Sequence, residues 1–223
     1  MTNNTHPQKM LADLREALVT MCVSVGESLH AACEALEHGD VRAASAVVDG
    51  DIDINSLENT IDAQALALLV RTQPVATDLR FVVGALRMVS DLERIGDEAA
   101  GIAERTIIMQ TLPALRDTRL WRDVGQLMQV AQRLYHDAVR AFMENNKTLA
   151  LEVSHGDDNA TQMEVHIVQN LMENMRKNVD PHVAMHIILI TRSCNRIWSR
   201  ATNIAQHAYF IAEGVSLKHR PVR

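Results

Sequence analysis

Aromatic side chains are scarce in this chain: Phe, Trp and Tyr together make up 3% of its 223 residues. Binders of single-stranded nucleic acid use such rings as stacking platforms, set in a basic groove. Here the net charge is −6 and the pI about 5.9, so nucleic acid is not an expected partner. The basic end from Lys218 to Arg223 is too short to change that. Cysteine is equally sparse. Cys22, Cys33 and Cys194 show no metal-type spacing, and three cannot all pair. Cys22 and Cys33, on one helix, would lie roughly 16 Å apart, too far for a disulfide. A reducing, cytoplasmic setting is the expectation. No apolar run approaches the ~20 residues of a membrane span; the longest cover 63–70 and 183–191. Met1 to Gln8 is polar and lacks the apolar core of a signal peptide. Also absent are a glycine-rich phosphate loop, a nucleophile elbow and any strand alternation. An enzyme is therefore not expected.

What the chain has is aliphatic. Hydrophobic residues make up 47%, and eleven methionines suit irregular gaps in helical cores. Residues 8–38 place Leu11, Leu14, Leu18, Cys22, Val25, Leu29, Ala32 and Leu36 on one stripe, spaced by three and four. Gly39 and Asp40 read as a helix end and the next N-cap. A second helix runs over 41–71, with a local break expected near Gly50 and Ile54, Leu57, Ile61 and Leu68 on its buried side. Pro74 suits the first position of a third helix over 74–110. A fourth covers 118–145 and a fifth 148–177. Asp180 and Pro181 open a sixth, which ends at Gly214.

The second half echoes the first. Glu93-Arg94-Ile95 followed by Ala99 to Glu104 aligns with Asn195-Arg196-Ile197 followed by Ala201 to Gln206. The expected fold is all-α, with six long antiparallel helices forming two tandem three-helix bundles from an internal repeat. One irregular six-helix bundle is the alternative. The expected domains are 8–112 and 113–214, with polar tails at 1–7 and 215–223.

The chemistry gathers on the third helix. Phe81, Ala85, Met88, Leu92, Ile95, Ala99 and Ile102 form its apolar stripe, and Glu93 and Asp97 lie off that stripe, one turn apart. Like charges at this spacing cost about 0.2–0.5 kcal/mol unless a cation offsets them. Counting equal rises from the turn near 72–73 sets Asp49, Asp51 and Asp53 level with Glu93 and Asp97. The turn at 39–40 brings Glu27 and His30 to the same level. An oxygen-rich cluster of this kind suits a divalent metal (iron, manganese, zinc or magnesium), with iron or manganese favoured if a histidine joins. A solvated acidic patch offset by Arg87 or Arg94 is the plainer alternative. Glu27 and His30 also form a Glu-x-x-His, the unit of ferritin-like di-metal bundles, though no second copy exists. His182 and His186 lie one turn apart without a third ligand.

Three segments resemble the PhoU family of phosphate-signalling regulators: 73–80 (Gln73 to Arg80), 91–97 (Asp91 to Asp97) and 202–205 (Thr202 to Ala205). The resemblance spans nearly the whole chain. It implies two three-helix bundles, each carrying an acid-x-x-x-acid motif at a surface metal cluster. It also implies a cytoplasmic adaptor between a phosphate ABC transporter and a sensor histidine kinase, repressing the starvation response when phosphate is ample. A homodimer is expected, touching the membrane only through partners. Glu93 and Asp97 fill the first motif, with Asp51 or Asp53 as facing ligands. The second motif departs: Asn195 and Ser199 stand where the family has acids, beside Trp198 and Arg200, and only Asp157 and Asp158 remain on the fifth helix. That second site is expected to be degraded. The competing reading of the whole chain is a ferritin-like di-metal enzyme or metal store.

Overall fold

The computed structural model describes residues 5–112, 118–155, 159–175 and 179–217. Among the described residues every regular element is helical: α1 (Thr5–His38), α2 (Val41–Thr72), α3 (Ala76–Met109), α4 (Thr118–Met143), α5 (Lys147–Ser154), α6 (Asn159–Met175) and α7 (Pro181–Glu213). The helix ends follow local chemistry. Gly39 takes a left-handed φ of 65°, and Asp40 then accepts hydrogen bonds from the Arg42 and Ala43 amides at 2.9 and 3.0 Å. Asp180 does the same for His182 at 2.8 Å, and Gly214, at φ 73°, closes α7.

Three expectations change. The helix over 41–72 runs unbroken through Gly50, where a side chain would meet only open space. Pro74 does not open α3: Val75 is extended (φ −123°, ψ 157°), so the helix starts at Ala76. The expected fifth helix is two, α5 and α6. Ser154 Oγ donates to the Leu151 carbonyl at 2.8 Å, and the His155 ring and amide nitrogens approach the same oxygen at 2.8 and 3.1 Å. These groups crowd one carbonyl, and His155 leaves the helix at φ −93°, ψ 10°.

Helices α1, α2 and α3 pack on one another, and α7 packs on α4, α5 and α6. The two groups lie side by side, joined by an extensive α3–α7 interface and a smaller α1–α4 contact. Leu14, Leu18, Met21, Ile61, Met88, Leu92 and Ile95 from the first group and Leu127, Ile187, Ile190, Ile197 and Ile204 from the second are buried in one continuous hydrophobic core. The methionines are divided. Met21, Met88 and Met128 are buried as expected, whereas Met143, Met172 and Met185 are exposed. All three cysteines are buried and free.

Gly84 of α3 lies against α7. A Cβ there would sit 2.3 Å from Ile211 Cγ1 and 2.6 Å from Cδ1, so any other residue would force the Ile211 side chain to move. Gly84→Val should cost about 1–3 kcal/mol through overpacking. Gly50→Ala, in open space, should instead add about 0.5–1 kcal/mol. Denaturant unfolding of the two variants checks the contrast; equal effects would contradict the close α3–α7 approach.

Candidate functional site

Glu93 and Asp97 stand on the face of α3 that turns toward α2. Arg94 bridges them, its Nε 3.3 Å from Glu93 Oε2 and its Nη1 3.4 Å from Asp97 Oδ2. Arg87, the other proposed counter-charge, instead stacks over the Phe210 ring at 5.1 Å. Across from this pair α2 presents Asp51, Asn55 and Glu58. Asn55 Nδ2 donates to Asp51 Oδ2 at 3.0 Å, while Asp51 Oδ1 is buried without a hydrogen-bond partner. Gly96 makes the approach possible, since a Cβ there would lie 3.2 Å from Ile54 and 3.5 Å from Asp51 Oδ1.

The electrostatics of the cluster agree with this geometry. Burial, then the Asp97 charge, then Glu58 push the Glu93 carboxyl upward despite Arg94. Asp51 is raised by burial and by Asp97, and Glu58 by burial, Asp62 and Asp97. Each of these three acids resists ionisation first because it is partly buried and then because its neighbours are also acids.

The sequence-level candidates divide accordingly. Glu93, Asp97 and Asp51 come together, joined by Glu58, which spacing from the turn alone did not select. Glu58 lies seven residues after Asp51, two turns along the same helix face, and that periodicity was the available signal. Asp49 and Asp53 are exposed, and neither perturbs Glu93 or Asp51. Glu27 and His30 face elsewhere, lining a groove of about 770 Å³ between α1 and α4 with Tyr135 and Arg140. Counting rises fixes height along a helix but not direction around it. Asp157 and Asp158 lie outside the described residues. His186 is buried, its Nδ1 unpartnered, and burial, Arg105 and His182 lower its pKa.

No ligand set of three or more His, Cys, Asp or Glu is in place to hold a metal among the described residues. The donor chemistry nonetheless suits one. The four acids are oxygen ligands only, Asp51 Oδ1 is orphaned, and mutual repulsion is what a cation would relieve. Arg94 occupies the bridging place and would have to move.

In the second repeat, α6 and α7 replace these acids. Asn195 donates to Glu164 Oε2, and Arg192, Arg196, Trp198, Ser199, Thr202 and Asn203 surround the pair. Between the repeats, Asp91 of α3 is buried against α7. It accepts from Arg200 Nη1 at 3.1 Å and Asn203 Nδ2 at 3.2 Å, with His207 Nε2 at 3.1 Å. Burial works to raise its pKa, but the hydrogen bonds from His207, Asn203 and Arg200 outweigh it and hold the carboxyl below its ordinary range.

No carboxylate lies within either bundle core among the described residues: the buried polar side chains are Asp91, Thr106, His186, Thr191 and Ser193, and Asp91 sits between the bundles. A ferritin-like centre needs inward glutamates, and no glutamate is buried among the described residues. The fold and site define a class of all-α repeat proteins with polar clusters on the outer faces of paired helices.

Comparison with known proteins specifies the class. The PhoU domain model matches twice, over residues 18–106 and 124–208. The phosphate-specific transport system accessory protein PhoU homolog of Aquifex aeolicus is 32% identical over 96% of both chains. The Pseudomonas aeruginosa homolog is also 32% identical, over 94% of this chain and 86% of its own. The crystal structure of PhoU from Pseudomonas aeruginosa superposes with a TM-score of 0.84 at 31% identity, covering 93% of this chain and 99% of that one. PhoU from Streptococcus pneumoniae shares the fold, with a TM-score of 0.84 at 21% identity over 96% and 100% of the two chains. The chain belongs to the PhoU family.

The Asp91 network carries a pH prediction. An acid whose pKa is lower in the folded than in the unfolded state adds stability above the unfolded value, about 3.9, and loses it as pH falls through the folded one. Wild type should exceed Asp91→Asn in unfolding free energy at pH 7. That margin should shrink on acidification below about pH 4. A margin that grows on acidification would exclude the network as described.

Proposed function

We propose that this chain is an accessory regulator of a phosphate transport system, linking the phosphate ABC transporter to a sensor histidine kinase and holding the starvation response off when phosphate is ample. The observation that carries the reading is the double match of the PhoU domain across both halves, with curated relatives over nearly the full length named as phosphate-specific transport system accessory proteins. The chain's own features are compatible with an adaptor. Its polar clusters lie on outer faces open to partners, and no described helix is long and apolar enough to cross a membrane. Contact with a membrane transporter would then run through docking, in the cytoplasm, by a homodimer. Deleting the gene should raise phosphatase and phosphate-transporter expression severalfold in phosphate-rich medium, read by reporter assay. Unchanged expression would reject the regulatory role.

Within that role, the first-repeat acids are proposed to take a divalent metal. Glu93, Asp97, Asp51 and Glu58 would supply the oxygens, and the ion would offset the burial and the mutual repulsion that now raise Glu93, Asp51 and Glu58. Magnesium, manganese or iron fits an all-oxygen set better than zinc does. Without metal, Glu93→Gln with Asp97→Asn should raise the melting temperature, because the raised Glu93 carboxyl and the Asp97 charge that helps to raise it are both removed. With manganese or magnesium added, wild type should gain stability and the double variant should not. Equal metal-induced shifts in both proteins would rule the assignment out.

A further inference from the structure

The two repeats differ in charge at equivalent places, acidic in the first and neutral in the second. On α3 the outward face bears Glu93 and Asp97. On α7 the aligned positions are Asn195 and Ser199, and Arg192, Arg196 and Arg200 follow one another at single-turn intervals beside them. Residues 192, 195, 196, 199, 202 and 203 recur at three- and four-residue steps, so one helical face collects guanidinium, amide and hydroxyl groups. With Thr161 and Glu164 of α6 they line an open cleft of about 740 Å³.

The donors in this cleft outnumber the acceptors. Glu164 is the single carboxylate among the described lining residues, and Asn195 already donates to it. Arg196 is turned to Glu98 of α3 at 2.9 Å, and Arg200 to Asp91. Arg192 is exposed and makes no ion pair among the described residues. Its guanidinium therefore keeps its full set of donors, and Ser199 adds a hydroxyl along the same face, whereas the Thr202 hydroxyl already donates to the Trp198 carbonyl and Asn203 Nδ2 to Asp91. A divalent cation finds a single carboxylate among the described lining residues. A tetrahedral oxyanion finds the planar fork and the hydroxyl donor that recognise it.

We propose that the α6–α7 cleft is an oxyanion site of phosphate type, formed where the repeat has exchanged its acid pair for Asn195 and Ser199, with Arg192 as the principal anchor. The proposal concerns a different surface from the metal cluster and does not depend on the regulatory role. Free phosphate and the phosphoryl group of a small molecule share this chemistry, and the cleft is larger than phosphate alone requires. Trp198 lines it and serves as a reporter.

The test titrates the full chain with inorganic phosphate and with ADP, following heat release and tryptophan emission. Saturable binding of one or both is expected, and the tighter of the two identifies the source. Arg192→Ala should weaken it by about tenfold or more, the usual scale for losing a charge-assisted contact. Asn195→Glu with Ser199→Asp restores the acids and should abolish it. The Glu93→Gln, Asp97→Asn variant should bind as wild type does. Circular dichroism melts establish that each variant is folded, and Arg192→Lys, which keeps charge but not the fork, should lie between wild type and Ala. No binding of either anion at millimolar concentration, or binding indifferent to both cleft variants, overturns the proposal.

Discussion

The close contact of α3 with α7 sets the geometry of everything else. Gly84 lets the two helices meet, since any side chain there would run into Ile211. Asp91 then anchors the contact through Arg200, Asn203 and His207. A buried carboxylate without such partners would be strongly unfavourable. With them it stays ionised, and the outer faces of both bundles are held in one fixed relation.

Around that contact the two repeats have diverged in outward charge while keeping their backbone plan. The first retains acids that repel one another and lean on Arg94 for relief. In the second, Asn195 satisfies the lone glutamate and the arginines are spent on α3 or left free. Helix packing is decided by the apolar stripes, so exchanging the outward residues leaves the fold intact and alters only what each face attracts.

Much of this was legible in the sequence, because capping and periodicity are local. Gly39-Asp40, Asp180-Pro181 and Gly214 marked helix ends correctly, and the stripe of Leu92, Ile95 and Ala99 placed Glu93 and Asp97 on an outer face. The break after Ser154 was not legible, since it rests on side-chain and backbone donors crowding the Leu151 carbonyl. The acids facing Glu93 and Asp97 were half legible. Height along the hairpin picked out Asp51, but azimuth excluded Asp49, Asp53, Glu27 and His30 and brought in Glu58. Ile54 and Ile61, buried on α2, mark its inner stripe and would have pointed to that face.

The polarity of the α3–α7 contact bears on how a duplicated unit avoids mispairing. Asp91 and Glu98 both belong to α3, and their cationic partners Arg200 and Arg196 both belong to α7. Two copies of α3 brought face to face would oppose acid to acid, and two copies of α7 would oppose arginine to arginine. The complementary signs therefore favour joining unlike halves over joining like ones. After a duplication, when both halves still resemble each other, such a charge code steers each first unit to a second unit and discourages chains from exchanging their matching parts.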